Sequence, residues 1–189
     1  MNSEKNSIRQ SAKIYRDKLN ISPDWAIEAA ENFINSVTIS DSKIVSAYYP
    51  IGSEIDSSPI VEELWVRGIK VCLPLTFEAE RGLKFIEWDK KTKLVSGKFG
   101  TMMPEDFNQY VHPDILIIPL LAFDQNGNRM GYGQGHYDET IRFLRQKKEI
   151  LAVGLAYAEQ AVLLALPTES HDQKLDMVVT PQRVFDFRQ

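Results

Sequence analysis

The 189-residue sequence predicts an α/β protein, a three-layer sandwich with a mainly parallel, Rossmann-like sheet flanked by helices. Short apolar, β-rich runs alternate with segments of helical character along the chain, as a parallel sheet with crossover helices requires. The runs at 44–49, 70–73, 115–118 and 151–156 are nearly continuous in apolar residues, as strands covered on both faces must be. Two helix starts carry serine followed by proline, at Ser22-Pro23-Asp24 and Ser58-Pro59.

In chain order, the first helix carries an apolar stripe of Ile8, Ala12, Tyr15 and Leu19. At about 100° per residue, Lys5, Arg9 and Arg16 fall within about 40° of one another beside that stripe. This basic row is either a solvated face, which composition alone favours, or a set of charges reaching into a cleft. A second helix starts near Ser22, and the strand at 44–49 follows. The helix beginning at Ser58 should stop at Gly68. The strand at 70–73 comes next, then a more alternating strand at 83–88. A polar, loop-rich segment spans 89–107. The apolar run from Ile115 to Phe123 reads as a strand buried on both faces. Tyr137, Ile141 and Leu144 have helical spacing, the strand at 151–156 follows, and a strand at 178–180 would close the sheet.

Between Phe123 and that last helix lies Asp124-Gln-Asn-Gly-Asn-Arg-Met-Gly-Tyr-Gly-Gln-Gly-His-Tyr-Asp138. Glycines alternate at 131, 133 and 135 in what reads as a strand-to-helix turn. Free N–H groups and the positive end of the helix dipole favour an anion there, and glycine lets the backbone come close to a phosphate. Arg129 adds a forked, permanent charge, and Asp138 a hard oxygen suited to Mg²⁺. The stretch is neither a Walker A loop nor G-x-G-x-x-G, since no Gly-Lys-Ser/Thr ends it and His136 stands where a glycine would be needed. A tight turn needing several positive-φ residues is the alternative.

Composition narrows the class. Hydrophobic residues at 43% and charged residues at 25% are ordinary for a globular protein, and a single domain over 1–189 is expected. The net charge of −4 argues against nucleic acid as a partner. The lone Cys72 lies in an apolar stretch, which fits a buried structural thiol. No signal-like segment opens the chain and no run approaches a membrane span, so a cytoplasmic protein with no membrane partner is expected. The oligomeric state stays open, and a monomer is compatible with all of this.

The glycine-rich stretch resembles the signature of the 5-formyltetrahydrofolate cyclo-ligase (5,10-methenyltetrahydrofolate synthetase) family, roughly D-x-x-G-x-R-[LM]-G-x-G-x-G-[YH]-Y-D. Three further segments resemble that family: Lys5-Asn-Ser-Ile-Arg9, Tyr48-Tyr-Pro-Ile-Gly-Ser-Glu-Ile-Asp56, and Leu166-Pro-Thr-Glu-Ser-His-Asp-Gln-Lys-Leu-Asp176. The resemblance runs from Lys5 to about Thr180. It implies ATP- and Mg²⁺-dependent closure of 5-formyltetrahydrofolate to 5,10-methenyltetrahydrofolate. It implies ATP contacts from Lys5, Arg9, Arg129, Met130, Gly131, Tyr132, Gly133, Gln134, Gly135, His136 and Tyr137. Folate contacts would come from Tyr49, Glu54 and the loop from Tyr132 to His136, and Mg²⁺ would sit at Asp138 and Asp172. Tyr48 and Trp88 are further candidates for aromatic walls, with core packing as the alternative. No covalent nucleophile is implied. Asp176 reads as structural, and His112 and Histidine 171 as surface or loop residues without metal-ligand spacing. Gln134, His136 and Met103 depart from residues common in the family. A folate- or nucleotide-binding homologue without activity and a sugar-phosphate isomerase-like enzyme are the rival readings.

Overall fold

Residues 2–77, 82–97, 100–105 and 109–188 are described by the computed structural model. In chain order they form α1 (Asn2–Asp17), α2 (Trp25–Ser36), β1 (Ile44–Ser46), α3 (Ser58–Val66), β2 (Lys70–Leu75), β3 (Lys84–Glu87), β4 (Leu94–Ser96), β5 (Met102–Pro104), β6 (Tyr110–Val111) and β7 (Ile115–Pro119). There follow β8 (Ala122–Asp124), β9 (Arg129–Met130), α4 (His136–Arg145), β10 (Leu151–Leu155), β11 (Ala161–Val162), β12 (Met177–Val179) and β13 (Val184–Asp186). The main sheet has the order β13-β12-β10-β7-β1-β2-β3-β6. Its five central strands, β12 to β2, are parallel. The flanking pairings β13–β12, β3–β2 and β6–β3 are antiparallel.

Alternation along the strands divides the core between two faces. Ile115 and Ile117 join Val45, Val71, Val153 and Val179 under α2 and α3, through Ala29, Phe33, Ile60 and Leu64. Leu116 and Ile118 turn the other way, with Cys72, Ala152 and Val178, and meet Ile141 and Leu144 of α4. These are the three expected layers. Cys72 is a buried thiol, as its apolar neighbours suggested. No helix among the described residues is long and apolar enough to cross a membrane.

Several boundaries differ from the sequence reading for local reasons. The helix expected at Ser22 starts at Trp25 behind Asp24, and the Ser22 hydroxyl accepts only the Asp24 N–H, at 3.4 Å. Strand β1 ends at Ser46, because Tyr48 turns into the core and donates to the Ile55 carbonyl. The helix at Ser58 has Ser57 at its N-cap position, though the Ser57 hydroxyl donates to the Tyr48 carbonyl instead of capping; Pro59 lies in its first turn, and Gly68 follows its end at φ 73°. The stretch expected as loop holds the β4–β5 hairpin. Strand β12 does not close the sheet, since β13 pairs outside it.

The run from Ile115 to Phe123 is two strands in two sheets. Strand β7 belongs to the main sheet, whereas β8 pairs with β9 and β11 in a separate three-stranded sheet. The glycine loop therefore joins β9, not the long buried strand, to α4. Asp124 knits the β8–β9 turn by accepting the N–H groups of Asn126, Asn128 and Leu166. Gly127 in that turn has φ 75°, and a Cβ there would lie 2.8 Å from the Leu175 carbonyl oxygen.

Central strand β10 leaves no room at Gly154. A Cβ there would stand 2.6 Å from Leu120 Cδ2, 2.8 Å from Leu175 Cδ1 and 3.0 Å from Val178 Cγ2, all in buried side chains. Gly154→Ala is expected to cost about 1–3 kcal/mol by overpacking. Urea unfolding should show a lower midpoint with an unchanged m-value.

Candidate functional site

In open α/β sheets ligands bind beyond the carboxyl ends of the parallel strands. At that end of this sheet, the 47–57 segment leaves β1, and the 120–135 region, with its small sheet and glycine loop, follows β7. Helix α1 lies across them. Ile8 and Ala12 pack on Ala122, Met130, Val162 and Leu166, and Leu19 packs against the larger core. Tyr15, expected in the apolar stripe, is largely exposed. That leaves α1 a short apolar contact, and its basic residues contribute the rest.

The basic row is not a solvated face. Lys5 and Arg16 are only 3% and 2% exposed. The Lys5 ammonium donates to Asp172 at 2.7 Å and to Glu169 at 3.0 Å. Burial works against its charge, but the two carboxylates outweigh that and hold Lys5 above its ordinary pKa. Arg16 donates to Ser53 Oγ (3.0 Å), the Leu120 carbonyl (3.1 Å) and the Tyr132 hydroxyl (2.7 Å). Arg9 lies differently. Its Nη1 donates to Asn6, while its buried Nε finds no hydrogen-bond partner among the described residues.

Arg9 packs on the glycine loop. Gly133 has φ 92°, which favours glycine, and a Cβ there would stand 3.0 Å from Arg9 Cζ and crowd the guanidinium. Gly135, at φ 72°, is the N-cap of α4 without a side-chain cap. The first N–H groups of α4 thus face the loop, beside a guanidinium. Gly131 has no positive φ and nothing lies within 4 Å of where its Cβ would stand. Gln134 is exposed, His136 and Tyr137 are half-buried, and the Met130 side chain is buried under α1.

Arg129, a predicted phosphate contact, is held between two segments. Its Nη2 pairs with Asp138 at 2.7 Å and its Nη1 donates to the Gln173 carbonyl. The Gln173 N–H in turn donates to the same Asp138 oxygen at 2.9 Å. Arg129 and Asp138 therefore fasten α4 to the loop bearing Asp172. The groups gathered around Asp172 are Glu169 and His171, whose ligand atoms lie within 4.8 Å of one another and of Asp172. Sequence spacing gave no metal role to either residue, because alternate positions on a loop have no fixed geometry until its fold is known. This donor set suits a divalent cation, and two of its members already accept from Lys5.

Glu54 sits at the other side of the loop, 8% exposed. The Tyr132 hydroxyl donates to its Oε1 at 2.7 Å and the Ile51 N–H to its Oε2 at 2.9 Å. Burial raises the Glu54 pKa, and these two bonds and the Arg16 charge only partly counter it. Burial, the Glu54 charge and its hydrogen bond push the Tyr132 phenol up to about 12. Tyr49 is 41% exposed and open to a planar ligand, whereas Tyr48 is core. Trp88 packs on Trp65 of α3, ring centroids 5.0 Å apart. It follows the antiparallel β3 and so lies at the amino end of β2, away from the glycine loop. Asp176 is structural, accepting from Ala152 N–H and from Arg145.

The sequence profile of the 5-formyltetrahydrofolate cyclo-ligase family matches residues 1–181. The chain belongs to this family. The 5-formyltetrahydrofolate cyclo-ligase of Escherichia coli strain K12 is 34% identical over 148 residues, covering 76% of this chain and 80% of that one. The Mycolicibacterium smegmatis cyclo-ligase is 30% identical over 163 residues, covering 82% of each chain. Among solved structures, the 5,10-methenyltetrahydrofolate synthetase of Aquifex aeolicus superposes with a TM-score of 0.78 at 27% identity, over 98% of this chain and 93% of that one. The α/β architecture and the family expected from the sequence therefore both hold.

Two predictions concern how the site is held. Arg129→Ala leaves the Asp138 carboxylate without its cation and is expected to destabilise the fold by about 3 kcal/mol or more, measured by denaturant unfolding. Burial alone would raise the Asp172 pKa, but the Lys5 ammonium and the Glu169 N–H hold it below the usual carboxylate range. A depressed folded-state pKa gives stability that is present above about pH 4 and lost as pH falls through the folded value. Asp172→Asn should thus cost about 1.5–3 kcal/mol at pH 7, and the gap from wild type should narrow in unfolding curves taken below pH 4.

Proposed function

We propose that the protein closes 5-formyltetrahydrofolate to 5,10-methenyltetrahydrofolate at the expense of ATP, releasing ADP and phosphate. The observation that carries this reading is the Arg9 guanidinium, its buried Nε without a partner among the described residues, set against Gly133 just before the N-terminus of α4. A buried charged donor without an acceptor is costly, and a phosphate oxygen would satisfy it. In this reading the polyphosphate lies along Met130 to Tyr137, with Lys5, Arg9 and Arg129 supplying counter-charge.

An N-formyl carbon is a poor electrophile, because the nitrogen lone pair is delocalised into its carbonyl. Transfer of the γ-phosphoryl group to the formyl oxygen gives an imidate-like phosphate ester. N10 then attacks the activated carbon, the ring closes and phosphate leaves. The work left to the protein is alignment and neutralisation of charge, which requires no covalent nucleophile. Glu54 would accept from the pterin N–H groups with Tyr49 alongside, and the loop from Tyr132 to His136 would keep the formyl oxygen near the γ-phosphate. Asp138 and Asp172, with Glu169 beside them, would hold Mg²⁺. The ion would neutralise phosphate charge. Lys5 already stands at that position as a cation. We place this chemistry in one domain spanning 1–189, in the cytoplasm, with small-molecule substrates and no nucleic-acid or membrane partner.

Purified protein mixed with 5-formyltetrahydrofolate and MgATP should develop the near-ultraviolet absorbance of methenyltetrahydrofolate, and omission of ATP or chelation of Mg²⁺ should abolish it. Arg9→Ala should lower kcat/KM for ATP about tenfold to a hundredfold, the worth of a charge-assisted hydrogen bond. Binding of both substrates without the absorbance change would leave a non-catalytic folate- and nucleotide-binding homologue.

A further inference from the structure

Tyr132 is the one side chain between Gly131 and Gly133, and its hydroxyl is fully committed. It accepts from Arg16 Nη2 at 2.7 Å and donates to Glu54 Oε1 at 2.7 Å. The Arg16 guanidinium also stands 5.8 Å from the centroid of the Tyr132 ring. Arg16 is itself fixed from two further sides, by Ser53 Oγ in the segment that carries Glu54 and by the Leu120 carbonyl just after β7. One buried cation therefore touches the glycine loop, the Glu54 segment and the end of a central strand. Sequence reading placed Arg16 in the basic row, with a cleft as one of two alternatives, but gave it no ligand.

We propose that Arg16 and the Tyr132 hydroxyl couple the two halves of the site, so that nucleotide held by the glycine loop positions Glu54 for folate. The inference rests on the reading above, with nucleotide at the glycine loop and folate at Glu54. The physical argument concerns order. A loop with glycines at 131, 133 and 135 has large conformational freedom, and a ligand on its amides must fix it. Fixing the loop fixes Tyr132. Its hydroxyl then holds one carboxylate oxygen of Glu54 while the Ile51 N–H holds the other. A carboxylate offers about four acceptor sites, so a Glu54 held in this way can still receive two donors from a pterin edge. The second ligand meets a site whose ordering cost has already been met by the first, which makes binding cooperative without any large movement. Arg16 touches neither ligand in this scheme and is a positioning residue.

The test is calorimetric titration of 5-formyltetrahydrofolate into the full chain, with and without the Mg²⁺ complex of the β,γ-imido analogue of ATP. In the wild-type protein the analogue should tighten folate binding about fivefold or more, and folate should tighten analogue binding by the same factor, as linkage requires. In Tyr132→Phe, which keeps the ring and removes the hydroxyl, the ratio of the two folate dissociation constants should fall to near one. Arg16→Lys keeps the charge but not the fork and should do the same. The double variant should lose no more coupling than either single variant, the mark of two residues acting as one unit. If Arg16→Lys does not fold, the Tyr132→Phe titration decides alone, since that side chain is 43% exposed. A wild-type ratio of one or below, or a ratio that survives Tyr132→Phe, overturns the coupling while leaving the site assignment standing. Failure of the wild-type protein to bind either ligand overturns the site assignment and the coupling with it.

Discussion

A cation removed from water must find its counter-charge or enough acceptors, and in this protein that requirement decides where helix α1 lies. Only Ile8 and Ala12 of α1 contact the small-sheet cluster, which is too little to fix a sixteen-residue helix. Lys5 and Arg16 supply the register. They are three turns apart on the helix, and each is buried against a different loop, 169–172 for Lys5 and 120–132 with Ser53 for Arg16. Two buried, directional anchors leave one seating for the helix between them. That seating brings Arg9, lying between the anchors, against Gly133. The guanidinium with the unpartnered Nε is thus placed by two neighbours that are themselves anchored by hydrogen bonds.

The same principle governs the far side of the loop. Arg129 and Asp138 form a pair that also captures both the carbonyl and the N–H of Gln173, which ties β9, the first turn of α4 and the segment at Gln173 together. Two chemistries follow from one arrangement. Paired cations hold the frame, and Arg9, with no carboxylate partner among the described residues, lies against the glycine loop. The Asp138 and Asp172 carboxylates also serve the frame, so a metal ion would share them with Arg129 and Lys5.

The layered fold was legible because its signals are local. Branched apolar runs such as 115–118 and 151–156 have the composition of strands covered on both faces, and Gly68 ends α3 at the left-handed φ that its position suggested. The glycine loop was legible for the same reason, since Gly133 and Gly135 do adopt positive φ. What escaped depends on contacts between distant segments. The break at Leu120 cannot be seen in a run that stays apolar to Phe123, because it is pairing with β9 and with the distant β11 that draws β8 into another sheet. The burial of Lys5 and Arg16 follows from acceptors on other loops, and composition alone favours a solvated face. Glu169 and His171 become neighbours of one another only when their loop is folded. Tyr48 and Trp88 are aromatic residues near plausible motifs, and only the direction of the chain at each separates core packing from a ligand wall.

The partners of α1 also impose a timetable on the chain. Helix α1 precedes its partners by a long way: Lys5 lies 164 and 167 residues from the carboxylates that neutralise it, and Arg16 lies 104 and 116 residues from two of its acceptors. Until the 169–172 loop has been made, Lys5 lacks the carboxylates that neutralise it in the folded protein, so α1 cannot take its final seating before then. Its polar sequence and its few apolar residues suit that interval, because an amphipathic helix with a broad greasy face would be exposed to aggregation for most of translation. The seating of α1 therefore waits on segments made long after it.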